Sequence, residues 1–371
     1  MKTLQLLGLA AAALLPIPVT AQVQLQPLWQ LDPGSRPYLP NYPGDNNQRS
    51  VAYNPTTGNI ALVNRTGGLS VNILDCDTGV DRGSLKTTGI SGGTYSLSQI
   101  AIAEDGAIYA ANLVSSTSGA NPFKIYRWAK EAWNTEPTLV YSGEVVSGTR
   151  WGDNIEIRGS GNQTQILLGQ GGSGVGERIA IFTTSDNGTS FSPTVMSLSG
   201  QGFAPGDSRG GVAFGNDDTF YVKNTGGTTL YHGTFDLASS SAVLTSAATL
   251  WDPIGASGYA AIATELQGED LLAAINFNSA PNPQSVPQNV VLFYVIDPSS
   301  PILLDVKPFI DPGIQNLNGA GAVGFGGGKL IALDTNNGLR AWNLIPEPQV
   351  YAFLSLGLGA LWFTRRPQRR S

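Results

Sequence analysis

The amino-acid sequence predicts an all-β fold built from an internal repeat. Short runs that alternate apolar and polar residues recur along the chain and are bounded by Gly, Asn, Asp, Ser and Pro. No long stretch follows the period of an α-helix. Hydrophobic residues make up 41% of the 371 residues, which is typical of a globular protein rather than a disordered chain.

A three-residue motif marks the start of each repeat. It has a β-branched residue, then any residue, then usually a large apolar one, and its six copies begin 49, 55, 57, 50 and 61 residues apart. The copies are Val51–Tyr53, Ile100–Ile102, Ile155–Ile157, Val212–Phe214, Ile262–Thr264 and Val323–Phe325. A period of about 50 residues is that of a β-propeller blade.

The strands that follow each motif define the blades. Every copy is followed by a polar turn and two further apolar strands, and five copies also have a fourth strand. The sixth repeat ends near Leu344, while residues 23–32 (VQLQPLWQLD) alternate in the same way. We therefore predict one β-propeller over residues 22–345, with about six four-stranded blades and an N-terminal strand closing the last blade. Five or seven blades are the alternatives if a long loop hides or splits a repeat.

The N-terminal segment has the pattern of a secretory signal peptide over residues 1–21. Lys2 precedes the apolar run Leu4 to Leu15, and small residues lead to a cleavage site between Ala21 and Gln22. The alternative is an N-terminal helix buried in the body. The sequence thus indicates an exported protein.

The C-terminal segment, residues 346–371, pairs a short apolar stretch with basic residues. Val350 to Thr364 are 15 uncharged residues, fewer than the roughly 20 that a spanning helix needs. A final helix packed on the body is the alternative to insertion in a membrane. The four arginines that follow would hold this end on the cytoplasmic side; they are Arg365, Arg366, Arg369 and Arg370.

Pro346, Glu347 and Pro348, followed by the apolar stretch and the arginines, resemble the PEP-CTERM sorting signal of bacterial exosortase substrates. The resemblance implies transient insertion in the inner membrane and removal of the tail near Pro346–Pro348 by an exosortase. It also implies that the secretion machinery and the exosortase are partners in transit. The mature protein would then lie in the cell envelope or outside the cell.

Several segments of the body resemble exported bacterial propellers. The turn LDCDTGVDRG is similar to the Asp-x-x-Thr-Gly hairpins of secreted propellers, and RTGGLSVNILD and DGAIYAANL resemble a poorly characterised propeller family. This resemblance spans about residues 45 to 200 and implies a fold without a catalytic motif.

The charge argues against nucleic-acid binding, and the cysteine content excludes an intramolecular disulfide. Without Lys2 and the four tail arginines the chain keeps 16 basic and 27 acidic residues, a net charge of −11. Such a body is a poor partner for nucleic acid. Cys76 is the single cysteine, so no intramolecular disulfide can form.

Long loops are expected on one face of the ring, where binding sites usually develop. A polar residue recurs where each second strand ends, and these residues could supply oxygen ligands for Ca²⁺ or sugar hydroxyls. The alternative is that they are ordinary turn residues, so the metal stays unknown. The residues are Asn64, Asn112, Asn224, Asn276 and Asp334.

Charged residues and one tryptophan mark the starts of blades on the same face. The tryptophan could stack on a sugar, although such residues also form solvated corners. The set adds Arg150, Trp151, Asp153 and Arg209 to the candidate ligand face, with Arg49 beside them.

No catalytic residue is predicted. His232 is the single histidine, lies in a third strand away from the channel, and is not joined by a nucleophile elbow. The sequence therefore favours a non-enzymatic, surface-directed propeller without a cofactor that binds polysaccharide or another envelope component. The alternative is a Ca²⁺-dependent hydrolase, lactonase or lyase with Asp153 or a nearby acid as base.

Overall fold

A computed structural model describes residues 23–40, 46–172, 178–200, 208–223, 228–250, 259–265, 270–276, 288–310, 316 and 319–346. The chain divides into two compact units, and the larger, Gln24–Ile345, contains the body. The predicted signal peptide with Ala21 and Gln22 lies outside the described residues, as do Glu347, Pro348 and the four tail arginines. Among the described residues, no helix has the length and apolarity to cross a membrane.

The regular secondary structure of the described residues is β-strand, apart from two short 3-10 helices at Gly161–Gln163 and Ser208–Gly210. This confirms the predicted all-β class. In chain order the strands are β1 Val23–Leu31, β2 Val51–Tyr53, β3 Asn59–Asn64, β4 Ser70–Asp75, β5 Asp81–Leu85, β6 Tyr95–Ile102, β7 Ile108–Leu113, β8 Phe123–Trp128, β9 Thr138–Gly143, β10 Glu156–Arg158, β11 Gln165–Gly169, β12 Arg178–Thr183, β13 Ser192–Gly200, β14 Gly211–Phe214, β15 Thr219–Lys223, β16 Thr229–Asp236, β17 Ser241–Thr249, β18 Tyr259–Glu265, β19 Leu271–Asn276, β20 Gln288–Tyr294, β21 Ile302–Ile310, β22 Gly321–Gly326, β23 Lys329–Asp334 and β24 Gly338–Pro346.

These strands form a propeller-like arrangement of antiparallel meanders. Three sheets follow chain order, namely β2-β3-β4-β5, β6-β7-β8-β9 and β18-β19-β20-β21, and a fourth has the order β1-β24-β23-β22. The remaining eight strands belong to one sheet with the order β10-β11-β12-β13-β17-β16-β15-β14. The described strands therefore form five sheets, and the expectation of about six separate four-stranded blades needs correction.

The eight-stranded sheet arises because the outer strands of two neighbouring meanders pair with each other. Strands β13 and β17 run parallel, with Leu198 opposite Ala242 and Gly200 opposite Leu244. Ser199 Oγ adds a 3.2 Å hydrogen bond to the carbonyl oxygen of Ala242. Both strands are nine residues long, and the pairing covers backbone groups that a free edge would expose.

The N-terminal strand lies in the last sheet, as the sequence predicts. Strand β1 neighbours β24 at the outer edge of that sheet. Trp29 Nε1 donates a 2.8 Å hydrogen bond to the carbonyl oxygen of Cys76, which links β1 to the first repeat. Leu25 is only 2% exposed, so β1 also contributes to the core.

The motif strands line the inside of the arrangement. The first strand of each repeat contacts the first strand of the next, and β22 contacts β2. The hydrophobic core lies between neighbouring meanders. One cluster, for example, joins Phe123 of the second repeat to Phe182 of the third. The first strands thus surround a central cavity, which is the main feature of the body for function.

Strand β1 should contribute measurably to stability because its apolar side chains complete the last sheet. We expect Leu25→Ala to lower the free energy of unfolding by about 2–4 kcal/mol, since a buried methyl-rich side chain is lost. Gln26→Ala is the matched control on the same strand, because Gln26 is exposed, and should cost less than about 0.5 kcal/mol. Denaturant unfolding measures both values. Equal costs for the two variants would contradict the placement of β1.

Candidate functional site

The central cavity has a volume of about 890 Å³, which is within the usual range for ligand-binding pockets. Residues from the first strands of all six repeats line it. We call the end where these strands begin the channel mouth. Its polar lining residues include Asn46, Arg49, Tyr95, Arg150, Asp153 and Arg209.

Arginines surround a single aspartate at the channel mouth. Arg150 binds Asp153 in a bidentate ion pair, with Nε 2.6 Å from Oδ2 and Nη2 2.6 Å from Oδ1. Arg49 Nη2 lies 3.4 Å from the same Oδ1. Arg209 is close enough to act electrostatically on Arg49. Arg49 and Arg150 therefore share the Asp153 carboxylate with Arg209 nearby, so that the described residues of the mouth place three guanidinium groups near one carboxylate.

Arg49 is the most buried cation of this group, at 8% exposure. Burial lowers the pKa of Arg49, while the Asp153 carboxylate raises it and the neighbouring Arg150 and Arg209 lower it further. Its Nε is a buried donor that has no hydrogen-bond partner among the described residues. An anion bound to the accessible guanidinium groups of the mouth would offset the repulsion between them.

Backbone geometry holds the arginines together. A Cβ atom on Gly171 would lie 3.0 Å from Arg209 Cβ and 3.1 Å from both Arg150 Cδ and Asp153 Oδ2. Glycine at this position therefore lets the loop after β11 approach the cluster. Asn154 also holds this segment in place, because its Nδ2 donates a 3.1 Å hydrogen bond to the carbonyl oxygen of Arg209.

Tyr95 is the aromatic residue of the mouth, and the sequence analysis missed it. The guanidinium carbon of Arg65 lies 4.0 Å from the centre of its ring, and that of Arg49 lies 5.5 Å from it. Its hydroxyl accepts a 2.9 Å hydrogen bond from Asn46 Nδ2. The ring thus supports two arginines at the site.

Trp151, expected as a sugar-stacking residue, lies in the core instead. It is fully buried in the cluster between the second and third repeats. Its Nε1 donates a 2.7 Å hydrogen bond to Thr149 Oγ1. The indole therefore has no free face for a sugar, because packing rather than exposure sets its position.

The predicted oxygen ring is not gathered at the cavity. Asn64 Oδ1 accepts hydrogen bonds from Gln48 Nε2 and from the Thr66 amide, and Asn112 Oδ1 accepts one from the Lys124 amide. These contacts are those of turn residues, the alternative that the sequence left open. Neither side chain lines the cavity.

Asp334, the third member of the ring, also lies away from the cavity lining. Burial raises the pKa of Asp334 to about 7, and hydrogen bonds from residues that include Asn316 oppose this rise. The remaining two members give no side-chain information, since Asn224 lies outside the described residues and only the backbone of Asn276 is described. Within the described ranges, no group of three or more His, Cys, Asp or Glu residues could hold a metal ion.

His232 lies in β16, as expected for a third strand, and is not among the residues that line the cavity. Its Nδ1 is 3.2 Å from Thr245 Oγ1, and its ring lies 4.9 Å from that of Tyr221. Burial lowers its pKa. The position fits a packing role on the outer part of the meander.

Glu156 is a cavity-lining residue that the sequence analysis passed over. It is the middle residue of the third motif, and in the sheet it pairs with Leu167 of β11. Burial raises its pKa to about 8. The residue keeps partial exposure toward the channel, yet protein atoms surround its carboxyl group densely enough to disfavour the charge. In the part of the chain that the structure describes, the carboxyl group has no hydrogen-bond partner.

Comparisons with known proteins support the fold only. No protein-family model and no curated protein matches the chain. It is similar to the solved structure of a DUF4623 family protein from Bacteroides eggerthii, with a TM-score of 0.53 and 16% identity, covering 81% of this chain and 72% of that one. A PQQ-bound aldose sugar dehydrogenase from Streptomyces coelicolor has a TM-score of 0.48 and 15% identity, covering 88% of this chain and 99% of that one. Neither similarity carries information on ligand or activity.

Glu156 should make the stability of the protein depend on pH. Its ordinary pKa is 4.5, and the folded value is about 8, so the folded state holds a proton that the unfolded chain releases between these values. The stabilisation is therefore complete below about pH 4.5 and is lost as the pH rises through about 8. The loss is at most about 1.4 kcal/mol per pH unit, and less where channel water solvates the carboxyl group.

The variant Glu156→Gln cannot ionise and should remove this loss. Its free energy of unfolding should rise relative to the native protein as the pH increases from 5 to 8, as measured by denaturant unfolding at each pH. Glu136→Gln is the control, since that side chain is 47% exposed and should track the native protein. A constant difference between Glu156→Gln and the native protein would contradict the buried, protonated state.

Proposed function

We propose that this protein is an exported, non-enzymatic β-propeller of six blades that binds an acidic polysaccharide at its channel mouth. One observation carries the proposal, namely that Arg49 and Arg150 share Asp153 at the wall of the central cavity, where Arg209 also lies. Guanidinium groups bind carboxylate, sulfate and phosphate oxygens through paired hydrogen bonds. Acidic sugars carry such groups, together with hydroxyl groups for the polar lining of the cavity.

Six blades fit the sheet order if the eight-stranded sheet is counted as two blades. Strands β10 to β13 and β14 to β17 are each a complete antiparallel meander, and the parallel pairing joins them only at their outer strands. The first strands remain separate, so each meander contributes one strand to the cavity wall.

The arginines of the mouth contrast with the negative net charge of the body. Without Lys2 and the four tail arginines the net charge is −11 at pH 7, and such a charge repels an acidic polymer at long range. The local positive charge at Arg49, Arg150 and Arg209 therefore provides a defined place for an anion. Binding should weaken with salt, because screening reduces the attraction of exposed charges.

The proposed place of action follows from the chain termini. A signal peptide over residues 1–21 and a sorting signal over residues 346–371 would carry the body across the inner membrane and release it from the tail. Exopolysaccharide is a component of the space that the protein would then reach. Export and processing rest on the sequence resemblance.

Binding is tested with polygalacturonate as the acidic probe and dextran as the neutral one, by calorimetry at low salt. We expect the native protein to bind polygalacturonate only, and the Arg150→Gln/Arg209→Gln variant to bind at least about tenfold more weakly, since charge-assisted hydrogen bonds are lost. Arg82→Gln is the matched control, because Arg82 is an exposed arginine paired with Asp75 in the first meander. Undiminished binding by the double variant would contradict the proposal.

Folding and metal controls accompany this test. The melting temperature of each variant shows whether it is folded. If Arg150→Gln/Arg209→Gln is unfolded, the single variant Arg209→Gln is used in its place. Addition of Ca²⁺ tests the alternative of a Ca²⁺-dependent hydrolase, lactonase or lyase. A Ca²⁺-dependent rise in melting temperature that Asp334→Asn abolishes would favour that alternative.

Processing of the termini gives a separate prediction. In a bacterium that has an exosortase, mass spectrometry of the exported protein should find an N-terminus at Gln22 and no peptides containing Arg365 or Arg366. The variant Pro346→Ala/Pro348→Ala should retain its tail and stay with the membrane fraction. Export of the full-length chain with its tail from native cells would contradict this part of the proposal.

A further inference from the structure

Glu156 departs from the pattern of its repeat position. The middle residue of the motif is alanine or glycine in the other five copies, and in the third copy it is a glutamate. The small residues are Ala52, Ala101, Ala213, Ala263 and Gly324. In the register of the sheets, each pairs with a second-strand residue just as Glu156 pairs with Leu167.

The sheet register fixes the direction in which Glu156 points. Residues directly opposite in an antiparallel pair lie on the same face of the sheet. Leu167, the partner of Glu156, packs in the core cluster with Val212 and Phe214 of the fourth repeat. Glu156 is therefore on the side of β10 that faces β14, at the cavity wall.

The surroundings of Glu156 offer it no counter-charge. Strand β10 packs against β11, β14 and β6. Neither β11 nor β14 contains a titratable residue, and β6 contains Tyr95 alone. Within β10, the guanidinium group of Arg158 donates hydrogen bonds to Gln165 Oε1 and to the carbonyl oxygen of Asp217 instead. Burial is accordingly the cause of its raised pKa, so at neutral pH the carboxyl group can donate a hydrogen bond as well as accept one.

The distance from the mouth suits an extended ligand. Asp153 lies in a bend three residues before Glu156, the first residue of β10, so their Cα atoms are at most about 10 Å apart. Both residues line the same cavity. An anionic group held by the arginines would therefore leave the next part of the ligand beside Glu156.

We propose that the channel mouth and Glu156 form a two-part site for the end of an acidic oligosaccharide chain, with an acidic group on the arginines and a sugar hydroxyl on Glu156. This inference rests on the proposed function and names its ligand more closely. A chain end is preferred over an internal stretch because the first strands surround the cavity, so a terminal segment can enter it along its axis, whereas an internal stretch would have to fold back on itself.

The protonated carboxyl group explains the choice of glutamate here. As an acid it donates its proton in a hydrogen bond to a hydroxyl or carboxylate oxygen, and its carbonyl oxygen accepts from a hydroxyl group. Once ionised, it cannot donate and it repels an anionic ligand. Ligand binding should consequently weaken as the pH rises, although the sugar carboxylates and the arginines keep their charges.

The test compares tri-galacturonate with monomeric galacturonate at constant salt, using calorimetry on the native protein and two variants. Glu156→Gln keeps a donor but cannot ionise. Glu156→Ala places at this position the residue found in four of the other copies, so the fold should accept it. Melting temperatures verify that both variants are folded.

At pH 6 we expect Glu156→Ala to bind tri-galacturonate about 3- to 10-fold more weakly than the native protein, as for the loss of one hydrogen bond. Glu156→Gln should stay within about twofold of the native affinity. Monomeric galacturonate, held by the mouth alone, should bind all three proteins equally. Between pH 6 and pH 9 the affinity of the native protein for the trimer should fall, and that of Glu156→Gln should remain constant.

Three outcomes separate this inference from the proposed function. If both Glu156 variants bind the trimer like the native protein at both pH values, while Arg150→Gln/Arg209→Gln does not bind, the role of Glu156 is overturned and the arginine site stands. If the monomer loses affinity as much as the trimer does in Glu156→Ala, the two-part site is overturned. If the native protein binds neither probe, the proposed function fails and the inference fails with it.

Discussion

The convergence of the first strands around the central channel is the constraint on which the other features of this protein depend. Each first strand contacts its neighbours in the ring, and the middle residue of the motif lies where two meanders meet at the cavity wall. Alanine or glycine at five of these positions keeps the strands close. Glu156 is the exception, and because it lines the cavity it adds a carboxyl group to the cavity wall.

The described part of the channel mouth contains more guanidinium groups than carboxylates. Bringing arginines together around Asp153 in a partly buried place costs free energy, because desolvation and mutual repulsion oppose the ion pairs. Structural stability alone would be served better by fewer cations. Groups whose pKa is shifted by burial and that lie in a cavity are more often found at binding sites, and both Arg49 and Glu156 have these properties.

The sequence predicts the repeat well, because strand alternation and turn residues are local signals. All six motif copies overlap first strands, and residues 23–32 supply the outer strand of the last sheet. The pairing of β13 with β17 was missed, since contact between two outer strands depends on tertiary placement. Asn64 and Trp151 were misleading for a related reason. The sequence gives residue type and position in the repeat, whereas burial and local hydrogen bonds determine whether a side chain reaches the cavity.

A crystal structure of the protein with tri-galacturonate at pH 6 is the most direct test of the account. A terminal carboxylate of the ligand should lie within hydrogen-bond distance of the Arg150 or Arg209 guanidinium group. A hydroxyl of the same ligand should lie within hydrogen-bond distance of the Glu156 carboxyl group. A ligand bound along the outer loops, with the channel free of sugar, would contradict it.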